Sequence, residues 1–150
     1  MNKLIFILII MISATLSAQQ EREWKRRYNG PVNGDDNARS MTIDGYGNIY
    51  VCGSSLGDSG KANFVIIKYD RNGDTVWVSR QGITEYGGKI TVDKLSNVYI
   101  TGKTGEGIST IKLDSSGSFK WKRDYTEENL IGIYVAAISN DRFGNIFVLG

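Results

Sequence analysis

The sequence predicts an all-β fold assembled from repeated four-stranded antiparallel units, and three observations carry that expectation. One ten-residue phrase occurs three times: DGYGNIYVCG from Asp44, DKLSNVYITG from Asp93, and DRFGNIFVLG from Asp141 to Gly150. Two of the copies run on into a second shared phrase, FVIIKYDRNGDTVW (64–77) and ISTIKLDSSGSFKW (108–121). The composition fits strands and tight turns: three Trp, eight Tyr and five Phe join many Val, Ile and Thr, and eighteen Gly stand against one Pro. Counted between Asn48, Asn97 and Asn145, the copies are 49 and 48 residues apart, a period that points to a repeat architecture.

The elements follow in order. MNKLIFILIIMISATLSAQQ has a positive residue at Lys3, an apolar run from Leu4 to Ile12 and then small residues, which is the layout of a signal peptide. Residues 1–18 are expected to be removed after Ala18, leaving repeats over 19–150. The apolar run falls short of the ~20 residues that span a bilayer, so no stable membrane insertion is expected after cleavage. The expected location is secreted or cell envelope, whether periplasm, cell surface or extracellular. No cysteine stands directly after the apolar run, which argues against a lipid anchor.

WKRRY, Trp24 to Tyr28, matches WKRDY, Trp121 to Tyr125, so residues 22–28 are expected to form an outer strand with no preceding three. A four-stranded unit is then expected over 38–80, a second over 87–125, and two strands of a third over 134–150. That makes eleven strands. In each unit the first strand alternates, with Met41 and Ile43 or Ile90 and Val92 on one side. The second, NIYVCG or NVYITG, is apolar on both faces, as a strand covered on both sides must be. The third ends at Asp70 or Asp114, and the fourth starts near Trp77 or Trp121 and becomes charged. Asp44, Asp93 and Asp141 can hold turns with a side-chain oxygen. Gly47 and Gly144 supply a left-handed conformation that Ser96 adopts less easily.

A four-stranded unit repeated at ~40–50 residues is a β-propeller blade. The pattern Asp-x-x-Gly-Asn-x-Tyr-Val-x-Gly, a loop, then Lys-x-Asp-x-x-Gly-x-x-x-Trp resembles the bacterial β-propeller repeats called SBBP over nearly all of residues 22–150. The matching positions are Asp44, Asn48, Gly53, Asp70, Gly73 and Trp77, then Asp93, Asn97, Gly102, Asp114, Gly117 and Trp121, then Asp141, Asn145 and Gly150. Leu95-Ser96 in the second turn and Asn140 at an apolar position depart from the pattern. The resemblance implies a start on an outer strand that would complete the last blade of a ring. Propellers close with ~4–8 blades, so the sequence is expected to be an incomplete fragment, two full blades plus partial ones.

Function is less legible. With no histidine, no His-dependent triad or His-ligated metal can form within these residues, and the lone Cys52 can make no internal disulfide. Net charge of +2 lacks the concentrated basic excess of a nucleic-acid surface. Asp70, Asn72 and Asp74 place oxygen ligands at alternate positions, a weak metal candidate. An EF-hand would need Gly at Thr75 and Glu at Gln81, so that motif fails, and a plain hairpin turn accounts for the segment. The same segment is similar to the sialidase Asp-box and to the docking element of quinoprotein propellers, each displaced by one place. Cys52 is expected to be a small buried side chain, Lys25, Arg26 and Arg27 a wet outer strand, and the three Trp packing elements between blades rather than sugar platforms. No catalytic constellation and no cofactor site is visible. The expectation is a secreted, non-enzymatic binding or structural module for an unidentified protein or glycan. The alternative is an exported propeller enzyme, quinoprotein-like or a glycan hydrolase, with its catalytic residues in other blades.

Overall fold

A computed structural model describes residues 24–82, 88–126 and 134–150. Among them are ten strands and no helix. The first blade is β1 (Asp36–Ile43), β2 (Ile49–Leu56), β3 (Ala62–Tyr69) and β4 (Thr75–Gln81), and the second is β5 (Lys89–Val92), β6 (Val98–Thr104), β7 (Gly107–Leu113) and β8 (Phe119–Tyr125). A hairpin of β9 (Ala137–Asn140) and β10 (Ile146–Leu149) forms the third unit. Each blade is an antiparallel meander with its strands in chain order, and the three sheets do not close into a ring. The expected units over 38–80, 87–125 and 134–150 therefore appear as two blades and a hairpin, with ends shifted by a few residues. The signal peptide, 1–18, lies outside the described residues.

The expected outer strand over 22–28 is a correction. Residues 22 and 23 are outside the described set, and Trp24–Tyr28 forms no strand. A strand exists only through a ladder, and among the described residues no neighbouring strand pairs with this segment. Its side chains nonetheless dock as those of a fourth strand would.

The two-sided apolar strands become two cores. Tyr50, Cys52, Phe64 and Ile66 of blade 1 pack with Ile90, Val98, Ile100, Ile111 and Leu113 of blade 2, joined by half-buried Trp77 and Val92. The alternate residues of blade 1, Val65, Ile67 and Tyr69, form a smaller cluster with Ile49, Val51 and Tyr28. Successive side chains on one strand thus serve opposite faces, the period of two made visible. In the third unit Phe147 and Leu149 are exposed, because among the described residues no third strand lies beside β10.

Candidate functional site

One turn chemistry recurs five times. At Asp44, Asp70, Asp93, Asp114 and Asp141 the carboxylate Oδ1 accepts the backbone N–H groups two and four residues later, at 2.8–3.0 Å. The fourth residue of each turn is left-handed, with φ of 83° at Gly47, 81° at Gly73, 59° at Ser96, 84° at Gly117 and 88° at Gly144. The inner turns add a second layer. Asn48, Asn97 and Asn145 donate through Nδ2 to the other carboxylate oxygen at 2.7–2.8 Å, and the Tyr50 and Tyr99 hydroxyls donate to it at 2.9 and 3.1 Å. This gives the Asp-x-x-x-Asn-x-Tyr spacing a cause. Phe147 replaces the tyrosine in the third unit and leaves Asp141 without that bond.

Ser96 is the departure that the structure explains. Its left-handed backbone brings Oγ within 3.0 Å of Asp44 Oδ2, so a hydroxyl of blade 2 donates to the turn of blade 1. Burial works to raise the Asp44 carboxyl, but the bonds from Asn48, Tyr50 and Tyr46 outweigh it and hold it down at about 2. Burial and the same carboxylate push the Tyr50 hydroxyl well above its ordinary value. The second departure is also a seam bond: Asn140 Oδ1 accepts the Thr91 hydroxyl at 2.7 Å, joining β9 to β5.

A second motif runs across the strands. The register aligns Tyr50, Lys68 and Trp77 in blade 1, and Tyr99, Lys112 and Trp121 in blade 2. Each lysine ammonium lies over its tyrosine ring, at 5.2 and 5.1 Å, and each tryptophan meets the same ring at 6.1 and 6.0 Å. A register shift just before each tryptophan, after Thr75 and after Phe119, sets the seven-residue spacing from Asp to Trp. Trp77 then crosses to blade 2. A Cβ on Gly117 would sit 2.8 Å from its ring, and its Nε1 donates to the Ser115 carbonyl at 3.1 Å. Trp24 repeats the arrangement on blade 1, against Gly73 and 6.1 Å from Tyr69. Arg26 fastens that segment, donating to the Gly73 carbonyl at 2.6 Å and pairing with Asp74 at 2.9 Å.

These contacts place the sequence candidates. Asp70 serves its turn, Asp74 pairs with Arg26, and the weak metal set of Asp70, Asn72 and Asp74 is not brought together as ligands. Among the described residues no cluster of three or more Cys, Asp or Glu side chains converges to hold a metal ion. Cys52 is buried, donates to the Gly88 carbonyl at 3.4 Å, and has its thiol pushed up to about 12 by burial, so it carries no thiolate at neutral pH. Gly53 is fixed by close approach, since a Cβ there would lie 2.0 Å from the Asn37 carbonyl oxygen. A cleft of about 340 Å³ is lined by Trp24, Arg26 and Tyr28 together with Val51, Val65 and Ile67. It lies on the blade 1 face that corresponds to the one blade 1 covers on blade 2.

The SBBP β-propeller repeat model matches residues 23–61 and 76–108. Over those residues the chain carries SBBP β-propeller repeats. A search of curated proteins finds no match. In these SBBP repeats the Asp, Asn, Tyr, Lys and Trp positions are building positions: they close turns, align strands and join blades. Sequence reasoning missed the Asn and Tyr side chains as donors to the aspartate and the lysines as ring partners. Their recurrence at fixed offsets was the available signal.

Proposed function

We propose that this chain is an exported, non-enzymatic propeller module that binds a protein or glycan or serves as a structural element. The observation that carries this reading is the use of the repeated polar residues in construction. Every motif aspartate is engaged by its own turn, the two lysines lie on tyrosine rings, and the cysteine is a buried thiol. A chain whose repeated chemistry is structural presents its variable surface to partners, since function on a propeller resides in grafted sites. Export is proposed on the amino-terminal pattern.

Two measurements test this reading. Expressed in a bacterium, the chain should be recovered outside the cytoplasm with Gln19 as its first residue. An intact Met1 on a cytoplasmic product would refute export. The full chain should retain a ligand from a glycan and protein array and return it chemically unchanged, as mass spectrometry of the eluate would show. A converted ligand would establish an enzyme instead.

A further inference from the structure

We propose that the cavity where the first strands of the units begin binds an acidic oligosaccharide, with its carboxylates held by Arg39, Lys89 and Lys103. This deepens the binding-module reading and rests on it. The cavity has a volume of about 310 Å³ and is lined by those three cations with Gly88, Tyr134 and Val135 among the neighbours. Its size falls in the range of small-ligand sites. Among the described residues no carboxylate lines it, and none of the three cations belongs to an ion pair. Three positive charges around a concave surface concentrate anions there.

The backbone builds the site. The β1–β2 ladder skips Arg39, passing from Ala38–Gly53 to Ser40–Cys52, so Arg39 is a bulge residue. Bulges re-aim side chains, and this one places a guanidinium at the cavity. Lys89 opens β5 and Lys103 lies near the end of β6, so the two blades supply the charge together. Gly88 packs its backbone closely on β6 at this wall, since a Cβ there would stand 2.2 Å from the Thr101 carbonyl oxygen. Tyr134 lines the cavity and is 74% exposed, so its ring is accessible for stacking on the C–H face of a sugar. Arginine matches a carboxylate with two parallel bonds, and the lysines add point charges. A bare phosphate would leave the tyrosine unused, and a nucleic acid calls for a wider basic surface than a net charge of +2 provides.

The test uses the full chain attached through its amino terminus, with tetragalacturonate as probe and maltotetraose and inorganic phosphate as comparisons. Tetragalacturonate should bind, and weaken as salt rises, because exposed charge pairs are screened. Combined Arg39→Gln, Lys89→Gln and Lys103→Gln should reduce affinity by about tenfold, the sum of three modest charge contacts. The conservative Lys89→Arg and Lys103→Arg pair should retain binding, which separates charge from folding. Tyr134→Ala should weaken tetragalacturonate by roughly threefold and leave phosphate unaffected, in keeping with one lost ring contact. Equal binding of maltotetraose, an unaltered affinity in the neutralised variant, or phosphate binding as tightly as tetragalacturonate would overturn the proposal. A different ligand held independently of these cations would refute this site and leave the binding-module reading standing. Cleavage of bound tetragalacturonate would do the reverse.

Discussion

Asp44 gathers five donors, from Tyr46, Asn48 (twice), Tyr50 and Ser96, and it shows how much one side chain can hold. Replacing it with Ala removes the acceptor and strands a buried tyrosine hydroxyl and a buried serine. Bonds to charged groups and buried unpaired polar atoms each weigh heavily, so Asp44→Ala should lose about 3 kcal/mol or more in urea unfolding at low micromolar protein. The equivalent change at Asp141, with no tyrosine and no seam bond, should lose much less. Equal losses would mean that the interblade bond contributes nothing. The pH dependence has a definite sign. A carboxyl held at about 2 in the folded chain and near about 4 in the unfolded one stabilises the fold fully above the higher value. That contribution disappears as pH falls from about 4 to about 2. The stability difference between the native chain and Asp44→Asn should therefore shrink across this window and hold steady above it.

At the scale of the strand, the tryptophans that look equivalent in sequence are not equivalent in place. Trp77 covers Gly117 and donates to Ser115 in the next blade, whereas Trp121 meets Tyr99 of its own blade and the Arg123 guanidinium, 5.7 Å from its ring. Both are half-buried, so truncation should fall below the ~3–5 kcal/mol of a fully enclosed indole. Trp77→Ala should lose roughly 2–3 kcal/mol and Trp121→Ala about 1 kcal/mol, measured by the same unfolding transition. Identical losses would contradict the bridging role. The repeat spacing in the sequence was enough to place the blades and the turns, which depend on local pattern, and Trp77 packs between blades as expected, whereas among the described residues Trp121 meets only Tyr99 and Arg123 of its own blade. It was not enough for Trp24–Tyr28, whose strand character depends on a partner strand. Nor did it reveal the work of Ser96 and Asn140, since a seam bond is a relation between residues 52 or 49 positions apart. The cations Arg39, Lys89 and Lys103 were invisible for the same reason: they occupy no recurring position of the repeat and line one cavity only in space.

Across the whole molecule, each unit is stabilised by the one beside it, as in other stacked repeats. The faces without a neighbour carry apolar side chains: Phe147, Val148 and Leu149 on the hairpin are all exposed, as are Val76 and Val78 on β4 and Phe119 on β8. Uncovered sheet edges with apolar flanks are templates for pairing with another copy. Residues 19–150 in isolation should therefore self-associate, with a sedimentation mass that rises with concentration. A monomer of constant mass with one sharp thermal transition would show that these faces are satisfied internally.

The core shared between blades also sets a timetable. Tyr50, Cys52, Phe64 and Ile66 have their apolar partners on a stretch of chain that ends at Leu113, so blade 1 cannot be completed when its own last strand leaves the ribosome. Nascent chains stalled with Gln81 just emerged should be degraded readily by protease, and those stalled with Tyr125 emerged should resist. Early resistance would mean that a single blade folds alone. A polypeptide that must wait for its neighbour stays threadable for longer during synthesis, and threading through a narrow membrane pore is what a leader at the amino terminus would require of it.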